Sequence, residues 1–317
     1  MPGPVVVVGS FNVDHVWRVE SLPRAGETLQ GCYTSGPGGK GFNQAVAAAR
    51  SGAPTHFVCA LGDDLGGQLA RMLARDEGIH LHAQPSDAPT GTAGIQVDRE
   101  GRNHIVIGPG ANDALDAGFV QGRAELLADA AVVLAQCEVP CAAVLSAFER
   151  ARAQGGLTVL NPAPANVDIP QELWAATSIA TPNETELAAH LARRHGIDVE
   201  ADALSTLDDD ALHAVARRFL PRGDVVVTLG AAGVFFSPVD GSPLRVSAPR
   251  VHTVDTTGAG DAFNGALAAA LAVQRAVDRG MLLQAVRYAS LATETPGAAL
   301  AMPLAIDVAG RFGACAG

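Results

Sequence analysis

Short runs of branched apolar residues, each closed by a turn and followed by a stretch of helical periodicity, recur along most of this chain. Val5-Val6-Val7-Val8-Gly9 is the first, and Phe57–Ala60, Ala131–Ala135, Leu157–Leu160, Ser178–Ala180, Val225–Leu229 and Val234–Phe236 follow. A short apolar run without a polar break reads as a strand buried on both faces. Helices are expected from the glycine cluster at Gly38 to Arg50, and over Leu65–Arg75, Ala117–Ala128, Cys141–Ala153, Glu184–His195, Leu212–Leu220, Gly260–Val273 and Met281–Ala289. Strands alternating with helices imply parallel crossover units, so the fold class is α/β with a doubly wound sheet. Ligands in such sheets bind outside the carboxyl ends of the strands.

Two stretches break the alternation. Residues 12–35 mix apolar and polar positions with Gly and Pro, as exposed strands do. Residues 90–108 contain Thr92–Asp98 and Asn103–Ile107, which alternate like a hairpin around Arg99–Arg102. One domain over 1–317 is expected, with these two stretches as a flap.

Bulk properties narrow the function. The 317 residues are 48% hydrophobic, enough for a large core, and the net charge is −11 with no Lys/Arg run. That balance excludes a nucleic-acid partner and leaves any small anion to be held by local dipoles and metal ions. Cys32, Cys59, Cys137, Cys141 and Cys315 are odd in number and form no CxxC pair, so free thiols in a reducing compartment are expected. Val5–Val8 lacks a basic leader, and the longest apolar run, around Ala266–Val273, is far shorter than a membrane span. A cytoplasmic protein with no membrane partner is the expectation. The histidines are read as lacking metal-ligand spacing, and no zinc site is expected.

The stretch with the most chemistry is Asp255-Thr256-Thr257-Gly258-Ala259-Gly260-Asp261-Ala262-Phe263-Asn264-Gly265. A Gly-rich turn enters an Ala-rich helix, whose first amides are unpaired and carry the positive end of the dipole. Glycine lets that backbone approach a phosphate closely. Asp261 at the same place is able to take a proton from a hydroxyl aimed at the phosphate. Gly36-Pro37-Gly38-Gly39-Lys40-Gly41 matches GxGxxG, but the polar Gln30–Ser35 before it is no buried strand, and a dinucleotide site would need one. The Walker A pattern fails because Gly41 follows Lys40. The run reads either as a helix-entry turn or as a site where Lys40 and Asn43 donate to a polyhydroxyl ligand. Asn12 and Asp14, spaced by two on an extended segment, suit vicinal hydroxyls or an ordinary polar turn. Asn183 and Glu186 form a capping-box pattern or place a carboxylate beside magnesium. Thr228-Leu229-Gly230-Ala231-Ala232-Gly233 suits a hairpin turn or a backbone against which a nucleotide lies, and Glu138 is a lone carboxylate after a strand.

Together these motifs resemble the ribokinase branch of the PfkB carbohydrate kinase family. The likeness runs from Gly9-Ser10-Phe11-Asn12-Val13-Asp14 through Gly38–Ala45, Gly110-Ala111-Asn112, Asn161-Pro162-Ala163-Pro164 and Thr181–Glu186 to Asp255–Gly265. The resemblance implies a Rossmann-like, mostly parallel sheet with a small β-sheet lid that often carries a homodimer. It implies a kinase that phosphorylates a primary sugar hydroxyl, most often of D-ribose, with ATP, Mg2+ and usually K+. By resemblance, Asn12, Asp14, Gly39, Lys40, Asn43 and Glu138 bind the sugar. Asp261 is the base, and the amides of Gly258, Ala259, Gly260 and Asp261 form the anion hole. Asn183 and Glu186 serve phosphates and magnesium, Thr228, Gly230 and Gly233 lie near the nucleotide, and Asp255, Thr257 and Gly297 hold the monovalent cation. Other acceptors, such as a nucleoside, and a non-catalytic binding protein are the alternatives. Phe42, where such kinases often have Ala, is expected to reshape the pocket or the lid contact. Glu294 and Thr295 stand before Pro296-Gly297 where such kinases more commonly have Thr-Arg, in a shortened stretch from Tyr288 that frames the adenine and the cation loop.

Overall fold

In the computed structural model, which describes residues 3–313, the four valines of β1 (Val5–Val8) are wholly inaccessible to solvent. Val5 and Val7 face one core, while Val6 and Val8 face another. A strand between two cores must lie inside a layered sheet, and burying each side chain contributes roughly 1.5–3 kcal/mol. β1 pairs in parallel with β4 (Thr55–Gly62) and with β8 (Val132–Ala135). Nine strands follow the order β13-β12-β11-β10-β9-β8-β1-β4-β5, adding β5 (His80–Ser86), β9 (Leu157–Leu160), β10 (Ile179–Ala180), β11 (Asp224–Thr228), β12 (Val234–Ser237) and β13 (Leu244–Val246). All neighbours are parallel except β11–β12 and β12–β13.

One core lies under α1 (Lys40–Arg50), α2 (Leu65–Asp76), α10 (Ala259–Leu271), α11 (Arg279–Ala292) and α12 (Ala305–Phe312). The other lies under α3 (Ala117–Gln121), α4 (Ala124–Asp129), α5 (Cys141–Ala153), α6 (Gln171–Ala175), α7 (Glu184–His195), α8 (Ala201–Leu204) and α9 (Asp209–Phe219). Among the described residues no helix is long and apolar enough to cross a membrane.

A second sheet of four strands, in the order β3-β2-β6-β7, stands apart. It is built from β2 (Asn12–Arg18), β3 (Cys32–Gly38), β6 (Gly91–Val97) and β7 (Asn103–Gly108), so the two expected flap stretches assemble as one small sheet. Its outer pairs are antiparallel and β2–β6 is parallel, with Asn12 opposite both Gly38 and Gly91.

Several local expectations are corrected. The helix expected over Ala117–Ala128 is two: Asp116 caps the first through the Phe119 amide, and the chain turns at Gly122 before α4 begins. Strand β5 was not anticipated, because His80, His82 and Pro85 mask its alternation. The three-residue β13 and the C-terminal α12 were missed as well. Phe42 does not reach the pocket; it is buried edge-on against Phe11 at 5.1 Å and tilted against Phe57 at 5.9 Å. Cys315 lies outside the described residues.

Candidate active site

Asp261 sits in the first turn of α10, behind Gly258, which adopts a left-handed φ of 76° at the N-cap. A Cβ on Gly258 would lie 3.1 Å from the Ala298 Cβ, so both backbone conformation and space favour glycine there. The carboxylate is buried and meets two amides from α1. Asn43 Nδ2 donates to Oδ2 at 2.9 Å and Gln44 Nε2 to Oδ1 at 2.9 Å. The close approach of α1 to α10 depends on Gly265, where a Cβ would lie 2.4 Å from Ala47 Cβ. Burial pushes the Asp261 carboxyl up, and Glu138 adds to this; Lys40, Asn43 and Gln44 oppose it, but the net shift is upward.

A chain of amides braces this pair. Gln136 Nε2 donates to Gln44 Oε1 at 2.6 Å, Gln44 Nε2 also reaches Asn161 Oδ1 at 3.1 Å, and Asn161 Nδ2 donates to Thr181 O at 3.1 Å. Asn264, one turn along α10, accepts from Thr181 Oγ1 at 2.5 Å and donates to Gly260 O at 2.8 Å. Gln44 thus orients the Asp261 carboxylate and is itself fixed by Gln136 and Asn161, while Asn264 ties the first turn of α10 to Thr181.

Facing Asp261 is a group of polar side chains from the strand ends. Glu138 accepts from Ser10 Oγ at 2.6 Å and from the Lys40 amide at 3.0 Å. Burial works against the charge of the Lys40 side chain, but the negative charges of Asp261, Glu138 and Glu186 outweigh it and raise the pKa. Asp14 rises from 3.8 to about 6, first through burial and then through the negative charges of Glu138 and Asp261. Asn12 is pinned by Asn112, whose Nδ2 donates to Asn12 Oδ1 at 2.8 Å and to Phe11 O at 3.1 Å. Glycine is required alongside: a Cβ on Gly38 would fall 2.2–2.4 Å from the Asp14 carboxyl, and one on Gly39 (φ 86°) 2.8 Å from the Asn12 nitrogen. Asn12, Asn112, Glu138, Ile107, Cys137 and Cys141 line a cavity of about 310 Å³. A second cavity of about 300 Å³, under α10–α12, holds none of these carboxylates.

The capping box of α7 is present. Glu186 N–H donates to Asn183 Oδ1 at 2.8 Å, and Asn183 N–H to Glu186 Oε2 at 2.9 Å. Burial raises the Glu186 carboxyl, partly offset by the Asn183 amide and Lys40. A parallel bridge joins Asn183 to Thr228, so the β10 and β11 ends lie side by side. Gly230 and Gly233, at φ 51° and 98°, form the turn that returns the chain antiparallel into β12. Asp255 ties two loops: Oδ1 accepts from the Thr257 amide at 2.9 Å and Oδ2 from the Gly297 amide at 3.0 Å. Burial opposes its charge, but Thr257, Gly297 and Arg18 hold the carboxyl below its ordinary range. Glu294 Oε1 accepts from the His252 amide at 3.0 Å and so braces the same loop.

The chain has relatives among known proteins. The family model for pfkB family carbohydrate kinases matches residues 4–305. The chain belongs to that family. Ribokinase of Staphylococcus aureus is 35% identical over 97% of this chain and 99% of its own length, and mouse ribokinase is 39% identical over 84% and 81%. A bifunctional ribokinase/ribose-5-phosphate isomerase A of Fructilactobacillus sanfranciscensis is 39% identical over 94% of the chain, which spans only 54% of that protein. The solved ribokinase of Thermotoga maritima superposes with a TM-score of 0.86 at 30% identity, covering 98% of this chain and 99% of that one. Arabidopsis thaliana ribokinase, solved with ribose and ATP, gives 0.86 at 32% identity and 98% coverage of both chains.

Within this pfkB chain the two signature regions, Gly38–Asn43 and Asp255–Gly265, meet at Asp261, while Thr228, Gly230 and Gly233 lie on a separate turn joined to the site by Asn183. The residues missed by sequence reading are Asn112, Gln44, Gln136, Asn161 and Asn264. Gln44, Asn112, Asn161 and Asn264 stand inside quoted motifs, where their neighbours drew the functional reading, and only Gln136 lies outside them. One histidine pattern was also overlooked. His80 and His82 alternate on β5, and His56 of β4 stacks on both. Among the described residues no three His, Cys, Asp or Glu side chains converge as metal ligands.

Proposed function

We propose that this chain transfers the γ-phosphoryl group of ATP to a primary hydroxyl of a small sugar, D-ribose foremost. The observation that carries the reading is Asp261: a buried carboxylate held at a helix start by two amides, with its pKa raised, facing Lys40, Asp14 and Glu138.

The roles follow from position. Asn12, Asp14, Lys40, Asn43 and Glu138 offer donors and acceptors to a polyol, and Asn12 and Glu138 line the cavity of about 310 Å³. Asp261 accepts the proton as its hydroxyl attacks phosphorus, and a raised pKa brings the carboxylate nearer the Brønsted optimum. The first-turn amides of α10 face the region where negative charge develops; that of Ala259 also reaches back to Thr256 O at 3.2 Å. Positioning and electrostatics supply most of the acceleration in phosphoryl transfer.

Glu186 suits a water-mediated magnesium contact, since it is buried, acidic and oriented by Asn183. Asp255 with the backbone of Thr257 and Gly297 suits a monovalent cation, because its carboxyl stays charged between two loops. These ions would neutralise phosphate charge and hold the loops. The turn at Thr228, Gly230 and Gly233 suits a nucleotide, since the bridge from Thr228 to Asn183 brings it beside the start of α7. The small sheet serves as the lid, and its exposed Trp17, Tyr33, Ile105 and Val106 suit a homodimer contact. Free Cys59 and Cys137 suit a reducing, cytoplasmic setting.

A coupled assay of ADP release over a panel of pentoses, hexoses and nucleosides, with and without potassium, tests this. Ribose should give the highest kcat/KM. No sugar-dependent ADP release from any acceptor would overturn the proposal.

A further inference from the structure

Phosphoryl transfer leaves two cysteines unused at the pocket wall. Cys137 and Cys141 flank Glu138 and line the same cavity as Asn12. Cys137 is buried in the turn after β8, and Cys141 is the half-buried first residue of the 13-residue α5, directly after Pro140. Its sulfur therefore lies in the positive end of the helix dipole. The two residues stand four positions apart on the same stretch of cavity wall. Interaction with the Cys137 thiol holds the Cys141 thiol below its ordinary range against burial, while the same interaction and burial push Cys137 up. The other described cysteines lack this setting: Cys59 is buried with its pKa raised by burial, and Cys32 is exposed on β3.

We propose that Cys141 is a modification site for low-molecular-weight disulfides, that Cys137 resolves the adduct, and that the resulting Cys137–Cys141 disulfide weakens sugar binding through Glu138. The second half rests on the reading of this cavity as the sugar pocket. The chemistry balances as two exchanges. The Cys141 thiolate attacks a disulfide RSSR, forming a Cys141–SR bond and releasing RS−, which takes up a proton. Cys137 then loses its proton and attacks the Cys141 sulfur, forming the protein disulfide and expelling the second RS−. Overall two cysteine thiols are oxidised and one RSSR is reduced to two RSH. The closed ring spans Glu138, Val139 and Pro140. Among the described residues Glu138 accepts from Ser10 and the Lys40 amide, so a shift of its backbone is felt at the sugar.

The test treats the reduced full-length chain with glutathione disulfide and maps adducts by peptide mass spectrometry. Cys141 should react before Cys32, the wild type should proceed to a Cys137–Cys141 disulfide, and Cys137→Ser should stop at glutathionylated Cys141. Saturating ribose should slow labelling of Cys141 without affecting Cys32. In ADP-release assays, oxidation should raise the sugar KM by about tenfold, the scale of one hydrogen bond to a charged group, and dithiothreitol should reverse it. In Cys141→Ser the ratio of oxidised to reduced KM should fall to about one. Labelling of Cys141 no faster than Cys32, or an oxidised wild type with an unchanged KM, would overturn the proposal. Should neither redox form phosphorylate any sugar, the kinase reading fails, and the labelling order still decides whether the thiol site exists.

Discussion

Replacing Asp261 by Asn separates the base from its scaffold. The side chain keeps its volume but loses the oxygen that takes the proton. Loss of a general base costs about 10²–10⁴ in rate, or roughly 2.7–5.5 kcal/mol of barrier. The structure also bears on whether the variant folds. Asp261 accepts from both Asn43 and Gln44, so the introduced NH₂ group faces a donor. Asn43 Oδ1 is buried and unpartnered, and a half-turn of the Asn43 amide presents it to that NH₂ group. The contact to position 261 is restored with Asn43 Nδ2 now in the unpartnered place, and removal of a desolvated carboxylate offsets what the rearrangement costs. Thermal unfolding of the variant should stay within a few degrees of the parent. ADP release at saturating sugar and MgATP should fall by at least ~10²-fold, while sugar affinity by titration calorimetry changes only a few-fold. The acid limb of the pH–rate profile, set by a carboxyl above the usual Asp range, should vanish. Turnover within about tenfold of the parent would refute the role of Asp261 as base.

Asp14 yields a pH-dependent prediction. Its folded pKa of about 6 stands above the ordinary 3.8, so the charge costs folding free energy at neutral pH. The cost is absent below pH ~4, grows as pH rises through the window from about 4 to about 6, and reaches at most ~3 kcal/mol, less after relaxation. Asp14→Asn should therefore raise Tm at pH 7 by a few degrees while raising the sugar KM, and calorimetry at pH 4 and pH 7 reads the difference. Gly38→Ala should raise the sugar KM more than it lowers kcat, because the new methyl displaces the Asp14 carboxyl. Gly265→Ala should cost about 1–3 kcal/mol of stability by wedging α1 from α10, measured by urea denaturation. Asp255→Ala should abolish potassium activation of ADP release and speed proteolysis of the loops it joins.

The parts of the fold legible in sequence were those whose signal is local. Val5–Val8 and Val225–Val227 announce buried parallel strands because both faces are covered, and Asp255–Gly265 carries its own turn chemistry. His80–Ser86 was illegible because an edge strand with intermediate burial needs no apolar alternation. The bracing amides failed for another reason. Gln44 and Gln136 stand 92 positions apart, and Gln44 and Asn161 117 apart, so their pairing exists only after the sheet has formed. Phe42 misled because a large ring beside Asn43 reads as pocket-facing, whereas α1 turns it into the core against Phe11 and Phe57.

Asn12 and Asp14 belong to the root of β2, where that strand enters the small sheet in register with Gly38 and Gly91. Any tilt of the cover carries these two side chains with it, whereas Asp261 stays with the large sheet. On the proposed reading, a sugar gripped at both ends would be a strut between two halves of the molecule, its length gauged as the halves came together. A polyol too short to bridge them would enter the pocket yet leave the cover slack, and discrimination among acceptors would then reside as much in the span of the ligand as in its individual hydroxyls.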